Sequence, residues 1–369
     1  MDSELSIEIS ASSMPYDVTR TTTRSWTPPT SYFLYDDLYD GIANYQSLSN
    51  KTIDVFFTKG TEDDPLHGRL RYVPSTSKWK LALPKEIDPA TVAGGDYYVY
   101  GFIPRDAADN AIIAKLPGSS TFADGAVLTL QGVPSVVNDA CVVIGAKEGP
   151  DEDHDNGLRR GDFCLKLKTG KDGEGNLTDN NYLYLLFDHL CAALCIRMRV
   201  DGDYHALRHI KLKELSLMTG TDEGLMDKKT DVVITLHQNN DGSDPISSIE
   251  YIPSTEDTSG GTMFQSDDGH LLTPTYQSFL SHFIPDGITQ LVLTSVYDVY
   301  DNNATASHPE GNLVRKNCMV TNTISLKDII DQFSMTRRGY IYTIDINIKP
   351  TYLYMLSEPD FNSPDVVVE

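Results

Sequence analysis

The sequence predicts an all-β protein built from two antiparallel β-sandwich domains with a few short helices. Stretches in which apolar and polar residues alternate recur along the chain, and Gly, Pro and Asp separate them at regular intervals. The length of 369 residues is sufficient for two ordinary domains. A hydrophobic content of 40% is sufficient for each domain to have a real core.

The clearest strand lies near the middle of the chain, from residue 190 to residue 200. Leu194 and Ile196 lie on one of its faces, which we expect to be buried. The dipeptide Asp201-Gly202 follows and is typical of a hairpin turn, so we expect pairing with a strand at Leu207–Met218. The opposite face, expected to be partly exposed, carries His189, Cys191, Ala193, Cys195, Arg197 and Arg199.

The chain begins with a short alternating strand, which we place at about residues 4–10. Its apolar residues are Leu5, Ile7 and Ile9. A polar run at about residues 11–30 follows, and its lack of apolar periodicity predicts an exposed basic loop that contains Arg20 and Arg24.

Two Gly- and Asp-rich stretches, 149–161 and 169–181, indicate a domain boundary near residue 178. The predicted domains are therefore residues 1–178 and 179–369. One helix is expected at Ser325–Phe333, where a capping residue precedes an apolar stripe. Further strands are expected at Ile53–Phe57, Gly68–Val73, Lys78–Leu83, Asp96–Ile103, Val127–Leu130, Cys141–Ala146, Thr230–Leu236, Ser248–Ile252, Thr289–Tyr297, Leu313–Ser325, Tyr340–Ile348 and Thr351–Leu356.

The charge balance excludes several classes of partner. A net charge of −23 repels phosphate backbones and anionic lipids, so we expect neither nucleic acid nor a membrane surface as a partner. Five cysteines form neither a disulfide framework nor a metal-binding pattern, and buried or half-buried free thiols are expected. The first ten residues lack the features of a signal peptide.

The sequence contains no motif for catalysis or for a cofactor, so we expect no enzyme and no cofactor. His205 and His209 would lie roughly 13 Å apart along a strand and are not expected to share a metal ion. Four aspartates imitate a calcium loop, but the glycine is displaced by one position and a solvated acidic loop is favoured. These are Asp151, Asp153, Asp155 and Asp162.

Four stretches, in order, resemble the fimbrillin family, the lipoprotein-derived pilins of type V pili. They are VTRTTTRS at 18–25, KWKLALPKEIDPATVAGGDYYVYGFIP at 78–104, the strand pair 183–200 around Phe187-Asp188-His189-Leu190, and RGYIYTI at 338–344 with Lys349-Pro350. The resemblance implies transthyretin-like sandwiches and a structural pilus subunit that serves cell adhesion. It also implies export to the outer-membrane surface, with a lipidated Cys before Asp2 in the precursor as the only membrane attachment.

The same resemblance implies polymerisation by strand exchange with other pilus subunits, triggered by proteolysis at Arg20 or Arg24. The residues agree, because loss of a short first strand would leave a groove that an extended segment could fill. A donor tail is expected at about 350–369, with Tyr352, Tyr354, Leu356, Val366, Val367 and Val368 as the inserted side chains.

Three alternatives remain open at this level. The terminal strands could be ordinary strands of a monomer. The chain could be a non-polymerising surface module, a tip adhesin or anchor, that binds a carbohydrate or a host protein through exposed Tyr and Trp. It could also be an enzyme such as a glycosidase, although the acidic and motif-poor sequence does not favour this.

Overall fold

The computed structural model describes the residues that form the strands and most of the turns between them. These are residues 5–15, 52–59, 65–73, 78–82, 95–103, 112–118, 122–137, 140–149, 159–167, 182–221, 224–226, 228–239, 241–257, 260–285, 287–307, 309–326 and 338–350.

The prediction of an all-β chain is confirmed, since strands make up nearly all of the regular structure described. The first strands are β1 (Leu5–Pro15), β2 (Thr52–Thr58), β3 (Leu66–Val73), β4 (Lys78–Ala82), β5 (Gly95–Ile103), β6 (Ile113–Lys115), β7 (Gly125–Val133), β8 (Val136–Val137), β9 (Cys141–Gly149) and β10 (Cys164–Leu167). Then follow β11 (Tyr182–His189), β12 (Ala192–Val200), helix α1 (Gly202–His205), β13 (Arg208–Thr221), β14 (Gly224–Met226), β15 (Lys228–His237), β16 (Ile246–Asp257), β17 (Gly261–Leu272), β18 (Gln277–Phe283), β19 (Gln290–Asp301), β20 (Leu313–Ser325) and β21 (Tyr340–Pro350).

The described strands form four sheets around two hydrophobic cores. The first core lies between a seven-stranded sheet, in the order β11-β9-β5-β2-β3-β4 with β10 beside β5, and a four-stranded sheet, β16-β15-β7-β6. The second core lies between two five-stranded sheets, β1-β21-β12-β18-β8 and β14-β13-β19-β20 with β17 beside β13. Pairing is antiparallel throughout the described strands except between β12 and β21, which are parallel.

Strands from both sides of residue 178 contribute to each core. β15 pairs with β7, and its residues Val232, Ile234 and Leu236 belong to the first core. β1 pairs with β21 in a sheet of the second core, whereas the sequence placed it in the first domain. Local alternation identifies a strand but carries no information about its partner, which explains the difference. The boundary near residue 178 stays a prediction.

β12 confirms the predicted burial of its first face. Leu194 and Ile196 are fully buried, with an exposed fraction of 0% each. Of the opposite face only Arg197 and Arg199 are half-buried, and the expected exposure is wrong for the residues before them: His189, Cys191, Ala193 and Cys195 are all buried. β12 lies between β21 and β18 in its sheet, and these two strands cover its two edges.

The predicted hairpin between β12 and β13 is wrong. β12 pairs with β18 and β21, and β13 pairs with β14, β17 and β19. The two strands belong to opposite sheets of the second core, so the chain between them crosses the sandwich. Asp201 begins the helical turn α1 at this crossing, because its carboxylate accepts a hydrogen bond from the backbone N–H of Asp203 at 3.0 Å.

Two smaller expectations concern the cysteines and the predicted helix. All five cysteines lie in the described ranges and none forms a disulfide, as predicted. Of the predicted helix at Ser325–Phe333 only Ser325 and Leu326 are described, and Ser325 is the last residue of β20. No helix in the described part of the chain has the length and apolar character needed to cross a membrane.

Ile196→Asp is expected to unfold the second sandwich. An unpaired charge in a fully buried position costs roughly 3–5 kcal/mol, a large part of the stability of a domain. Urea unfolding followed by circular dichroism measures the loss. Met319→Asp is the matched control, because Met319 on β20 is 71% exposed and should tolerate the same carboxylate. If both variants unfold at the same urea concentration, Ile196 does not hold the core.

Candidate functional site

The candidate site is the sheet edge that the first and last described strands form. β1 stands at the end of its sheet, and its partner among the described strands is β21. The pairing is antiparallel over all eleven residues of β1, from Leu5 opposite Pro350 to Pro15 opposite Tyr340. An edge strand has a single neighbour, so it is the strand that can leave with the smallest disturbance to its sheet.

The register places the apolar positions of β1 on the core side. Ile7 is opposite Ile348 and Ile9 is opposite Ile346. Both partners belong to the second core, as do Tyr342 and Ile344, which precede them on the same face of β21. Directly opposite residues share a face of a sheet, so Leu5, Ile7 and Ile9 hold the positions from which a strand contributes to the core.

An apolar cavity lies beside this edge, inside the second sandwich. The cavity is small, with a volume of about 20 Å³. Two of its lining residues, Ile346 and Ile348, are the register partners of Ile9 and Ile7. Across the cavity lie residues of the facing sheet, including Leu293, Tyr297 and Val320.

β21 is held on its other side by contacts independent of β1. It pairs in parallel with β12 from Ala193 opposite Ile341 to Val200 opposite Ile348. Arg197 of β12 donates two hydrogen bonds to the Asp345 carboxylate, Nε to Oδ1 at 2.6 Å and Nη2 to Oδ2 at 2.5 Å. This side-chain hydrogen bonding raises the pKa of Arg197. A two-pronged charged contact of this kind fixes the register of the two strands.

Tyr276 extends this polar cluster on the outer face of the sheet. The guanidinium carbons of Arg197 and Arg199 lie 5.1 and 4.5 Å from the centre of its ring. Cations at such distances are attracted to the face of an aromatic ring. The outer face of β12 is therefore covered by an aromatic ring and two guanidinium groups, on a chain whose net charge is strongly negative.

The beginning of β21 is tied to the junction between β11 and β12. Arg338 donates from Nη1 to the His189 carbonyl oxygen at 3.0 Å, and the same nitrogen is 3.0 Å from Asp188 Oδ2. Arg160 Nη2 approaches that oxygen of Asp188 at 3.3 Å. The Gly339 backbone N–H donates to the Cys191 carbonyl at 2.9 Å. Asp188 thus joins the last strand to residues of the first core.

These contacts hold β21 in place from the side opposite β1. β21 is fixed by β12, by Asp345 and by the junction at Asp188, whereas the partner of β1 among the described strands is β21.

Only part of the predicted site falls within the described residues. The backbone of the predicted exchanged strand is described, and the strand is longer than expected because it extends to Pro15. The predicted processing residues Arg20 and Arg24 lie outside the described residues. So do the predicted donor residues Tyr352, Tyr354, Leu356, Val366, Val367 and Val368.

The calcium candidate is described at one of its four positions. Asp151, Asp153 and Asp155 lie outside the described residues. Asp162 Oδ1 accepts hydrogen bonds from the Cys164 backbone N–H at 3.2 Å and from Gln238 Nε2 at 3.4 Å, so it serves the local chain. Within the described ranges no three His, Cys, Asp or Glu side chains form a group that could hold a metal ion.

The sequence missed two features of this region. The first is the ion pair of Arg197 with Asp345, which are 148 positions apart in the sequence. Near each residue, the sequence shows only that an apolar strand carries one charged residue on its polar side. The expectation that His205 and His209 lie far apart is wrong, since their ring centres are 5.0 Å apart. That expectation assumed one continuous strand, whereas His205 ends helix α1 and His209 lies in β13.

No model of a protein family matches the sequence, and neither does any curated protein. One similar solved structure is a candidate cell adhesion protein from Bacteroides uniformis. Its sequence is 10% identical, the TM-score is 0.35, and the matched region covers 82% of this chain and 90% of that chain. A candidate cell adhesion protein from Bacteroides fragilis is 10% identical with a TM-score of 0.34, over 90% and 88% of the two chains. The major pilin of Streptococcus pyogenes is 11% identical with a TM-score of 0.18, over 81% and 91%. A TM-score below 0.5 does not establish a common fold, so the function is inferred from the residues of this chain.

Ile7→Asp is expected to loosen β1 while β21 stays in place. A carboxylate at a core-side register position destabilises the strand that carries it. Hydrogen–deuterium exchange of the β21 amides that bond to β1 should then become at least tenfold faster. Ser6→Asp is the control, because Ser6 is opposite Lys349 on the other face and a carboxylate there opposes a cation. Equal exchange rates in the two variants would contradict the assigned register.

Proposed function

We propose that this chain is a structural subunit of a surface pilus that assembles by strand exchange at the β1–β21 edge and serves cell adhesion. The observation that carries the proposal is the position of β1. It begins the described chain, occupies the edge of its sheet, and pairs over its whole length with the strand that ends the described chain.

The physical drive for exchange comes from the groove that β1 would leave. Departure of β1 exposes the backbone N–H and C=O groups along one edge of β21 and leaves the apolar residues Ile346 and Ile348 without their neighbours on β1. Unpaired backbone groups and exposed apolar surface are both unfavourable, so the groove favours any extended segment that restores them. Main-chain hydrogen bonds would supply affinity, and alternating apolar side chains would set the register.

The donor in this proposal is the segment that continues from β21 in a second copy or in a homologous subunit. Residues 351–369 follow Pro350 directly and include the apolar positions Tyr352, Tyr354 and Leu356, with Val366, Val367 and Val368 close to the end. A subunit that accepts a strand at one surface and donates another from the end of β21 joins its neighbours head to tail. Such heterologous contacts do not close into a ring unless the rotation permits it, and they produce a fibre.

The trigger in this proposal is cleavage at Arg20 or Arg24, in the polar segment that follows β1. An exposed polar loop is a preferred site for proteolysis. Once it is cut, β1 is held only by its pairing with β21, and it can be replaced. On this proposal the uncut chain is an exported lipoprotein precursor at the outer-membrane surface, in which β1 protects the edge. The adhesion target would be a host protein or a glycan.

Treatment with an Arg-specific protease tests the assembly step. The wild-type chain should form ladders on native gels and filaments in electron micrographs after cleavage. The Arg20→Ala/Arg24→Ala variant should stay monomeric, because β1 remains tethered. A chain that ends at Pro350 keeps β21 intact but lacks the donor, and it should also stay monomeric after cleavage.

A reversible lock on β1 provides the sharper control. Ser12 and Thr343 are opposite each other in the register, and directly opposite residues of an antiparallel pair have a Cα separation suited to a disulfide. Ser12→Cys/Thr343→Cys should therefore block polymerisation after cleavage and regain it when a reductant is added. If the locked chain polymerises as well as the wild type, β1 does not leave, and strand exchange at this edge is wrong. If the wild-type chain does not polymerise after cleavage, a non-polymerising surface-binding module replaces the pilus subunit as the assigned function.

A further inference from the structure

A pair of histidines lies at the crossing between β12 and β13, away from the β1–β21 edge. His205 is the last residue of α1, and His209 is the second residue of β13. The turn between them folds the two rings onto each other, with centres 5.0 Å apart and planes inclined by 37°. Both side chains are half-buried.

The ring separation agrees with the geometry of a shared metal ligand. Imidazole nitrogens bind Zn²⁺ at about 2.0–2.1 Å, and a tetrahedral angle between two such bonds puts the ring centres about 5 Å apart.

His209 already has the second contact that metal-binding histidines usually have. Its Nδ1 is 3.1 Å from the Glu310 carbonyl oxygen, so Nδ1 carries the proton and donates it. The lone pair is then on Nε2, which is the nitrogen left for a metal. A backbone carbonyl in this position fixes the tautomer and orients the ring toward the ion. The Glu310 carboxylate is 3.4 Å from the Lys211 ammonium, so these two charges offset each other.

His205 provides the second imidazole. Its Nδ1 is buried and has no hydrogen-bond partner among the described residues. A buried polar nitrogen without a partner is uncommon in a folded protein and indicates either a functional role or an absent ligand.

We propose that His205 and His209 together bind one divalent transition-metal ion of the Cu²⁺, Ni²⁺ or Zn²⁺ class. Imidazole ligands suit these ions and not Ca²⁺ or Mg²⁺, which prefer oxygen. Within the described ranges no third His, Cys, Asp or Glu joins the group, so the two imidazoles are the proposed protein ligands. A bound ion would join α1 to β13 and, through Glu310, to the segment between β19 and β20.

Copper titration followed by electron paramagnetic resonance tests the site on the full chain. The buffer contains excess Mg²⁺ so that the many carboxylates are occupied. Wild type should bind one equivalent of Cu²⁺ with a nitrogen splitting pattern from two imidazoles. His205→Gln and His209→Gln should each bind at least tenfold more weakly and lose the two-nitrogen signal. His237→Gln is the matched control, since His237 is exposed and distant in sequence, and it should bind like the wild type.

The wild-type spectrum gives the answer even if a variant folds poorly. A signal with fewer than two nitrogens would overturn the assignment, and so would equal affinity in the wild type, His205→Gln and His209→Gln. As a second readout, Zn²⁺ at a hundred times its dissociation constant should stabilise the wild type and not His209→Gln, because only the native state contains the pair. Equal melting temperatures with and without Zn²⁺ in the wild type would also count against the site.

Discussion

The parallel pairing of β12 with β21 is the constraint on which the second sandwich depends. β12 is the central strand of its sheet, and β21 lies between it and β1 at the edge. Parallel neighbours need a long connection, and here the connection includes every strand of the facing sheet. The strands of the facing sheet are therefore synthesised before β21, the strand that pairs with β1. The Arg197–Asp345 contact fixes this pairing at one register, because a shift by one residue would move the aspartate to the core side.

Much of this architecture can be predicted from local pattern, and the rest depends on distant residues. Alternation located β12, β13, β15, β19 and β21 to within a few residues, because burial of one face imposes a period of two on the residues of a strand. It missed β17 and β18, where polar residues interrupt the apolar positions: β17 carries the pair Asp267-Asp268, and β18 contains Ser281 and His282 in buried positions. Which strand pairs with which could not be predicted, since the partner of β1 is at the other end of the chain.

The wrong hairpin and the wrong histidine distance have one cause. Both assumed that the chain after Val200 continues as an extended strand or makes the tightest possible turn. Asp201-Gly202 does reverse the chain, but it does so by beginning a helical turn in which the Asp201 carboxylate caps the N–H of Asp203. The residue types that favour a hairpin turn also favour a helix N-cap, so the dipeptide does not distinguish between them. The distinction comes from the sheets, because β12 and β13 face each other across a core and do not share an edge.

The partnership of β1 with β21 also sets the timing with which the protein can be completed. A chain synthesised from its amino end presents Leu5–Pro15 long before Tyr340–Pro350 exists. At roughly 5–20 residues per second, this interval is on the order of tens of seconds. During that interval the first strand has no native partner, and a truncated product never acquires one. Closure of the β1 edge therefore requires a chain that has been synthesised through residue 350.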